Sequence, residues 1–236
     1  MSLPKINYPI YDIKIPSLKK SFKFRPFLVK EEKLLLMAKE SQNASDILTV
    51  VKQIVNNCCL DKTFNIDKLA LFDLEFVFLK LRAYSVNNIV NVSYRDDEDE
   101  TFHEFEVNLD KVEVVFPNKI DNNIKISKNS GILMKYPSAS LYDDKEFLNL
   151  DKDFLFELIV RCIDKIYEDD TIYEGKDYKN EELSEFLENL DLKVFDQIQN
   201  FLVNIPKLNY EIDYVNKKGN SKKIVLSSLN DFFTWR

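Results

Sequence analysis

The chain has 236 residues and carries 40 acidic against 33 basic side chains, a net charge of −7 with a single histidine. Its 45% hydrophobic and 13% aromatic content is enough for a sizeable core and lies outside the disordered range. Three glycines (Gly131, Gly175 and Gly219) leave no loop where backbone could cradle a phosphate, which excludes a P-loop and a Rossmann fingerprint, and the acidic balance opposes a general nucleic-acid binder.

Residues 8–15 and 21–25 read as two short strands around a turn at 16–20, with Phe22 and Phe24 on one face and Pro9 and Pro16 placing the first strand at an edge. A helix is predicted over 29–40, with Glu31 and Glu32 in the first turn, where the helix dipole favours acids. A second, over 44–57, sets Ile47, Val50, Val51, Ile54 and Val55 on one stripe. A third, over 66–84, is apolar nearly all round and should be the central buried helix.

Alternating strands follow at 89–94 and 101–107, flanking the run Arg95-Asp-Asp-Glu-Asp-Glu100, with further strands at 112–116, 123–126 and 131–136. Helices are predicted over 154–168, 181–190 and 192–203, and the chain closes on strands at 210–215 and 223–226 around a polar turn at Gly219. The hairpins at 90–109 and 208–229 share a layout: a strand ending near Tyr94 or Tyr214, a charged loop, a second strand and a short apolar segment. The fold class is α+β: an N-terminal β-hairpin, a helical core, two further hairpin regions, then C-terminal helices and a terminal hairpin. The expected blocks are 1–87, 88–150 and 151–236, or one continuous domain.

The residues offer little for catalysis. His103, in a strand beside an acidic loop, reads as structural or exposed. Five adjacent acids at 96–100 lack the spacing and turn glycine of a calcium loop and read as a solvated hairpin tip, as do Lys217, Lys218, Lys222 and Lys223 on the later turn. Cys58, Cys59 and Cys162 supply neither a disulfide framework nor zinc spacing, and fit a reducing compartment. No uncharged apolar run reaches the ~20 residues of a membrane span, and the first residues lack the apolar stretch of a signal peptide, so a cytosolic protein is expected. No catalytic, cofactor-binding or metal residue is assigned, and neither nucleic acid nor membrane is an expected partner.

The segment Ser21-Phe-Lys-Phe-Arg-Pro-Phe-Leu-Val-Lys-Glu-Glu-Lys-Leu-Leu-Leu-Met-Ala-Lys-Glu-Ser41 resembles the signature of a baseplate hub or hub-assembly protein family of T-even-like contractile-tailed bacteriophages, in which a strand ending in Arg-Pro-Phe runs into a charged, Leu-rich helix. Leu229-Asn-Asp-Phe-Phe233 is similar to the family's C-terminal Phe-Phe element. The resemblance implies a structural or assembly protein of the tail baseplate, or a chaperone for the hub that does not stay in the virion. It would act through contacts with other baseplate or hub proteins or with itself, in the host cytoplasm during assembly and in the particle, with no enzymatic activity and no cofactor. The candidate contact or motif residues are Phe22, Phe24, Arg25, Pro26, Phe27, Lys30, Glu31, Glu32, Phe232, Phe233 and Trp235. Arg25 brings a rigid donor fork suited to a carboxylate, in this chain or the next one. Many members of the family this chain resembles carry a Cys-x-x-Cys-Gly knuckle before the C-terminal element. Here Val215 and Lys218 stand at the thiolate positions, so the hairpin is expected to hold by packing and strand pairing.

Overall fold

A computed structural model describes residues 6–40, 44–117, 121–144, 147 and 154–232. In chain order the elements are strands Tyr11–Ile15 (β1) and Lys20–Phe24 (β2), helices Val29–Glu40 (α1), Ala44–Cys58 (α2) and Leu71–Ser85 (α3), and strands Ile89–Arg95 (β3), Phe102–Asn108 (β4) and Glu113–Val115 (β5). Strands Asn123–Lys125 (β6) and Ser130–Met134 (β7), helix Phe154–Arg161 (α4), strands Ile163–Glu168 (β8) and Thr171–Glu174 (β9), and helices Asn180–Glu188 (α5) and Leu192–Val203 (α6) come next. Strands Lys207–Val215 (β10) and Ser221–Leu226 (β11) and the short helix Leu229–Phe232 (α7) complete the α+β fold. Residues Met1–Val115 with Lys207–Arg236 form one compact unit and Phe116–Pro206 a second, so the divisions fall at 115/116 and 206/207. No helix among the described residues is long and apolar enough to cross a membrane.

In the first unit α3 is the centre, because its sequence leaves no polar face wide enough to meet water. Phe72, Leu74, Val77, Phe78, Leu79 and Leu81 are all buried, and the helix packs against α2, β1, β5 and β10. Residues 66–68 form a separate 3-10 turn instead of the first turn of α3; Asn65 caps that turn by accepting from the Asp67 amide. Three antiparallel pairings frame the helix: β1 with β2, β3 with β4, and the sheet β11-β10-β5, in which Lys207 faces Val115.

Two carboxyl groups on α3 are withdrawn from water, Asp73 completely and Glu75 in part. Asp73 is fully buried and accepts from the Ser17 amide at 3.1 Å and from the Ser17 hydroxyl; burial still pushes its pKa up to about 6. Burial likewise pushes Glu75 up to about 7, against the opposing pull of the Leu229 amide. A carboxyl whose folded pKa is raised adds stability below its unfolded pKa and loses that contribution as pH rises through the folded value. Lowering the pH from about 8 to about 5 should therefore stabilise the protein by on the order of 4 kcal/mol. Glu31, Asp96 and Asp99 are shifted the other way, so their contribution disappears as pH falls below the ordinary carboxylate range. Thermal melting extended to lower pH should show a maximum at about pH 5. Asp73→Asn with Glu75→Gln should flatten the limb above it, and an unchanged limb would show that these groups are not its source.

The second unit is a four-stranded antiparallel sheet, order β6-β7-β8-β9, with α4, α5 and α6 over one face. Ile124, Ile132 and Ile163 from the sheet meet Ile159, Leu183, Leu187, Ile198 and Phe201 from the helices. Gly131 is required where β6 and β7 approach: a Cβ there would lie 2.6 Å from the Ile124 carbonyl oxygen. The helix expected over 154–168 ends at Arg161, and the rest of that stretch is β8, which pairs with β7 from Ser130↔Glu168 to Met134↔Ile163. Asp169, at φ 50°, then turns the chain into β9, a strand not predicted from the sequence. The apolar spacing suits either period; the open edge of β7, supplied from thirty residues upstream, decides it.

Candidate functional site

The Arg-Pro-Phe corner is built where β2 ends. Alternation turns Phe22 and Phe24 inward, and both meet the edge of the Phe64 ring, at 5.1 and 5.6 Å. The Arg25 amide donates to the Cys58 carbonyl at 2.9 Å and the Leu60 amide to the Lys23 carbonyl at 2.8 Å, tying the strand to the end of α2. The Arg25 guanidinium, 12% exposed, then closes the corner: Nη2 donates to Glu31 Oε1 at 2.9 Å and to the Asn57 carbonyl at 3.0 Å, and Nη1 donates to Glu31 Oε2 at 3.2 Å and the Pro26 carbonyl at 3.0 Å. Glu31, 0% exposed, also takes the Leu28 amide at 2.9 Å, capping the start of α1. Burial opposes its charge, yet Arg25 and that amide hold its carboxyl below the usual range.

Pro26 and Phe27 are buried beside this pair; Phe27 packs on Phe78 at 5.5 Å, and its amide donates to Ser85 Oγ at 2.7 Å. Lys30 is the exposed member of the motif, at 66%, and Glu32 keeps one buried carboxylate oxygen without a hydrogen-bond partner among the described residues. Phe232 is fully buried; Phe233 and Trp235 lie outside the described residues.

A second constellation joins the tips of the hairpins β3–β4 and β10–β11. The acidic run is a solvated tip only in part: Asp97 and Glu100 are exposed, whereas Asp96 is 3% exposed and the Asp99 side chain equally little. Asp96 accepts from the Tyr214 hydroxyl at 2.6 Å and from the Glu98 amide at 2.7 Å. Asp99 accepts from the Lys217 amide at 2.9 Å and from Thr101, and its Oδ2 lies 2.9 Å from His103 Nε2. Glu98 holds Asn216, Asn220 and Lys222, while Lys218 reaches the Glu98 carbonyl. The Tyr214 hydrogen bond lowers the pKa of Asp96, and the donors around Asp99 outweigh burial to lower that of Asp99; burial and Asp96 raise that of Tyr214. The basic turn is thus the counterpart of the acidic one, more than a hundred residues away. Opposite charge in two turns of similar layout was the signal available for this pairing.

The ligand atoms of Asp96, Asp99 and His103 lie within 4.8 Å of one another, as a cation site would require. Every carboxylate oxygen there already has a hydrogen-bond partner, and the arrangement holds the second hairpin in place. Nor do the residues fit a zinc knuckle. Val215 is 64% exposed, and the turn is organised by Asn216 Oδ1, which accepts from the amides of Lys218 and Asn220 at 3.1 and 2.9 Å, with Gly219 at φ 84°.

A family described as T4 bacteriophage base plate protein matches residues 8–234, a stretch that takes in the corner, both hairpin tips and the whole second unit. The chain belongs to this family. No curated protein and no solved structure matches it. In this base plate protein the corner ties Arg25 to Asn57, and the tips tie Asp96 and Asp99 to Tyr214 and Lys217, so each joins segments of the first unit that are far apart in the sequence.

Proposed function

We propose that this base plate protein is a structural subunit of the hub of a contractile tail, works through contacts with neighbouring base plate proteins, and catalyses no reaction. The family match over residues 8–234 carries the reading. The surface of α1 supports it: Val29, Leu36 and Met37 are exposed on one side of the helix, beside Lys30 and Lys33, while Ala38 and Glu31 face inward. Three large apolar side chains left on the outward side of a helix suit burial against a neighbour, as a subunit packed among others provides. The motif around Arg25 then acts by fixing the angle at which α1 leaves β2, and so presents that face.

Quantitative mass spectrometry of purified particles against the lysate that produced them tests this. A fixed, small copy number per particle is the expected result. Abundance in the lysate with absence from particles would replace the structural role by that of an assembly chaperone.

A further inference from the structure

In the second unit the sheet face near the ends of β8 and β9 and helix α5 diverge, leaving an open groove of about 740 Å³. Its floor is apolar, from Ile166, Leu183, Phe186 and Leu190. Tyr173 and Tyr178, ring to ring at 6.4 Å, stand on one side, and Tyr178 is exposed. Glu168, Glu182 and Glu185 add three exposed carboxylates to the lining, and none has a basic partner among the described residues. Glu182 spends one oxygen on the Lys179 amide at 2.9 Å.

The stretch of chain that supplies most of the groove lining is far more acidic than the chain average. Residues 164–191 hold eleven acidic side chains and three basic ones, a net of −8, against −7 for the whole chain; the remaining residues therefore sum to +1. One of the three bases, Lys165, is already taken by Glu174 at 2.8 Å. A negative field of this size over an apolar, tyrosine-walled trough repels phosphate and nucleic acid. It suits Lys and Arg side chains, whose aliphatic stems lie along apolar surface and whose heads take carboxylates or the faces of aromatic rings.

We propose that this groove docks a basic segment of a neighbouring base plate protein, one in which Lys or Arg alternates with apolar residues. The proposal rests on the reading that the chain works through protein contacts, and it names the chemistry of one partner.

The test uses the full chain and a fluorescent peptide alternating lysine with leucine, read by anisotropy, beside a counterpart with glutamate in place of lysine. The lysine peptide should bind, with affinity falling as salt is raised, and the glutamate peptide should not. Glu168→Gln with Glu185→Gln should weaken binding about tenfold, while Glu181→Gln with Glu188→Gln, an equal charge change on exposed residues outside the groove, should stay within about twofold. Absence of lysine-peptide binding, equal binding of the glutamate peptide, or equal loss from both pairs of substitutions would overturn the proposal. Incorporation into particles is counted separately, so a failed peptide assay with normal incorporation removes the groove and leaves the base plate role standing. Failed incorporation with intact peptide binding does the reverse.

Discussion

Arg25→Ala should destabilise the protein by about 3–5 kcal/mol, a large share of the whole stability of a typical fold. The cost arises less from the lost attraction than from what stays behind: Glu31 is fully buried and would keep its charge with only the Leu28 amide and the more distant Lys30 ammonium, 3.5 Å away, to compensate. The Pro26 and Asn57 carbonyls would also lose their donor. Arg25→Lys should recover only part of the loss, because one ammonium cannot reproduce the fork that spans both Glu31 oxygens and two carbonyls. Urea unfolding of the three proteins gives the comparison. Wild-type stability in Arg25→Ala would mean that the pair is not what holds the corner, and that Arg25 is free to serve a partner.

Phe24→Ala should cost a similar amount, about 3–5 kcal/mol, through the cavity left between β2 and the end of α2. Phe24 is fully buried, meets the Phe64 ring, and lies opposite Cys59 in an isolated antiparallel bridge. Its removal together with Arg25→Ala should cost less than the two separate losses combined, since both loosen the same junction. A stability loss below about 1 kcal/mol for Phe24→Ala alone would place this ring outside the core, contrary to its burial.

The parts of this protein that could be read from its residues are those where one local period fixes both element and orientation. The alternation through Phe22 and Phe24 gave the second strand of the first hairpin and its inward face, and the helices at 29–40 and 192–203 have the ends their patterns implied. The central place of α3 followed from an apolar surface too wide to face water. The family was legible in the stretch around Arg25, and the match over residues 8–234 bears that out. Arg25 and Glu31 were both visible as a donor fork and an acid six residues on; that the acid is the partner of the fork depends on how β2 enters α1.

What only the tertiary structure decided shares one physical cause: each outcome is set by a partner distant in the sequence. Residues 163–168 are compatible with a helix until β7 offers an unpaired edge, and there the ladder fixes them as a strand. Asp96, Glu98 and Asp99 look solvated until the hairpin at 214–222 brings a hydroxyl, amides and a lysine to them. The groove beside α5 exists because β8 and β9 turn Ile166 and Tyr173 to the same face, beneath a helix that starts only at Asn180. Local propensity separates such alternatives by a fraction of a kcal/mol per residue, whereas a strand ladder or a desolvated carboxylate commits several at once, so the long-range contact wins.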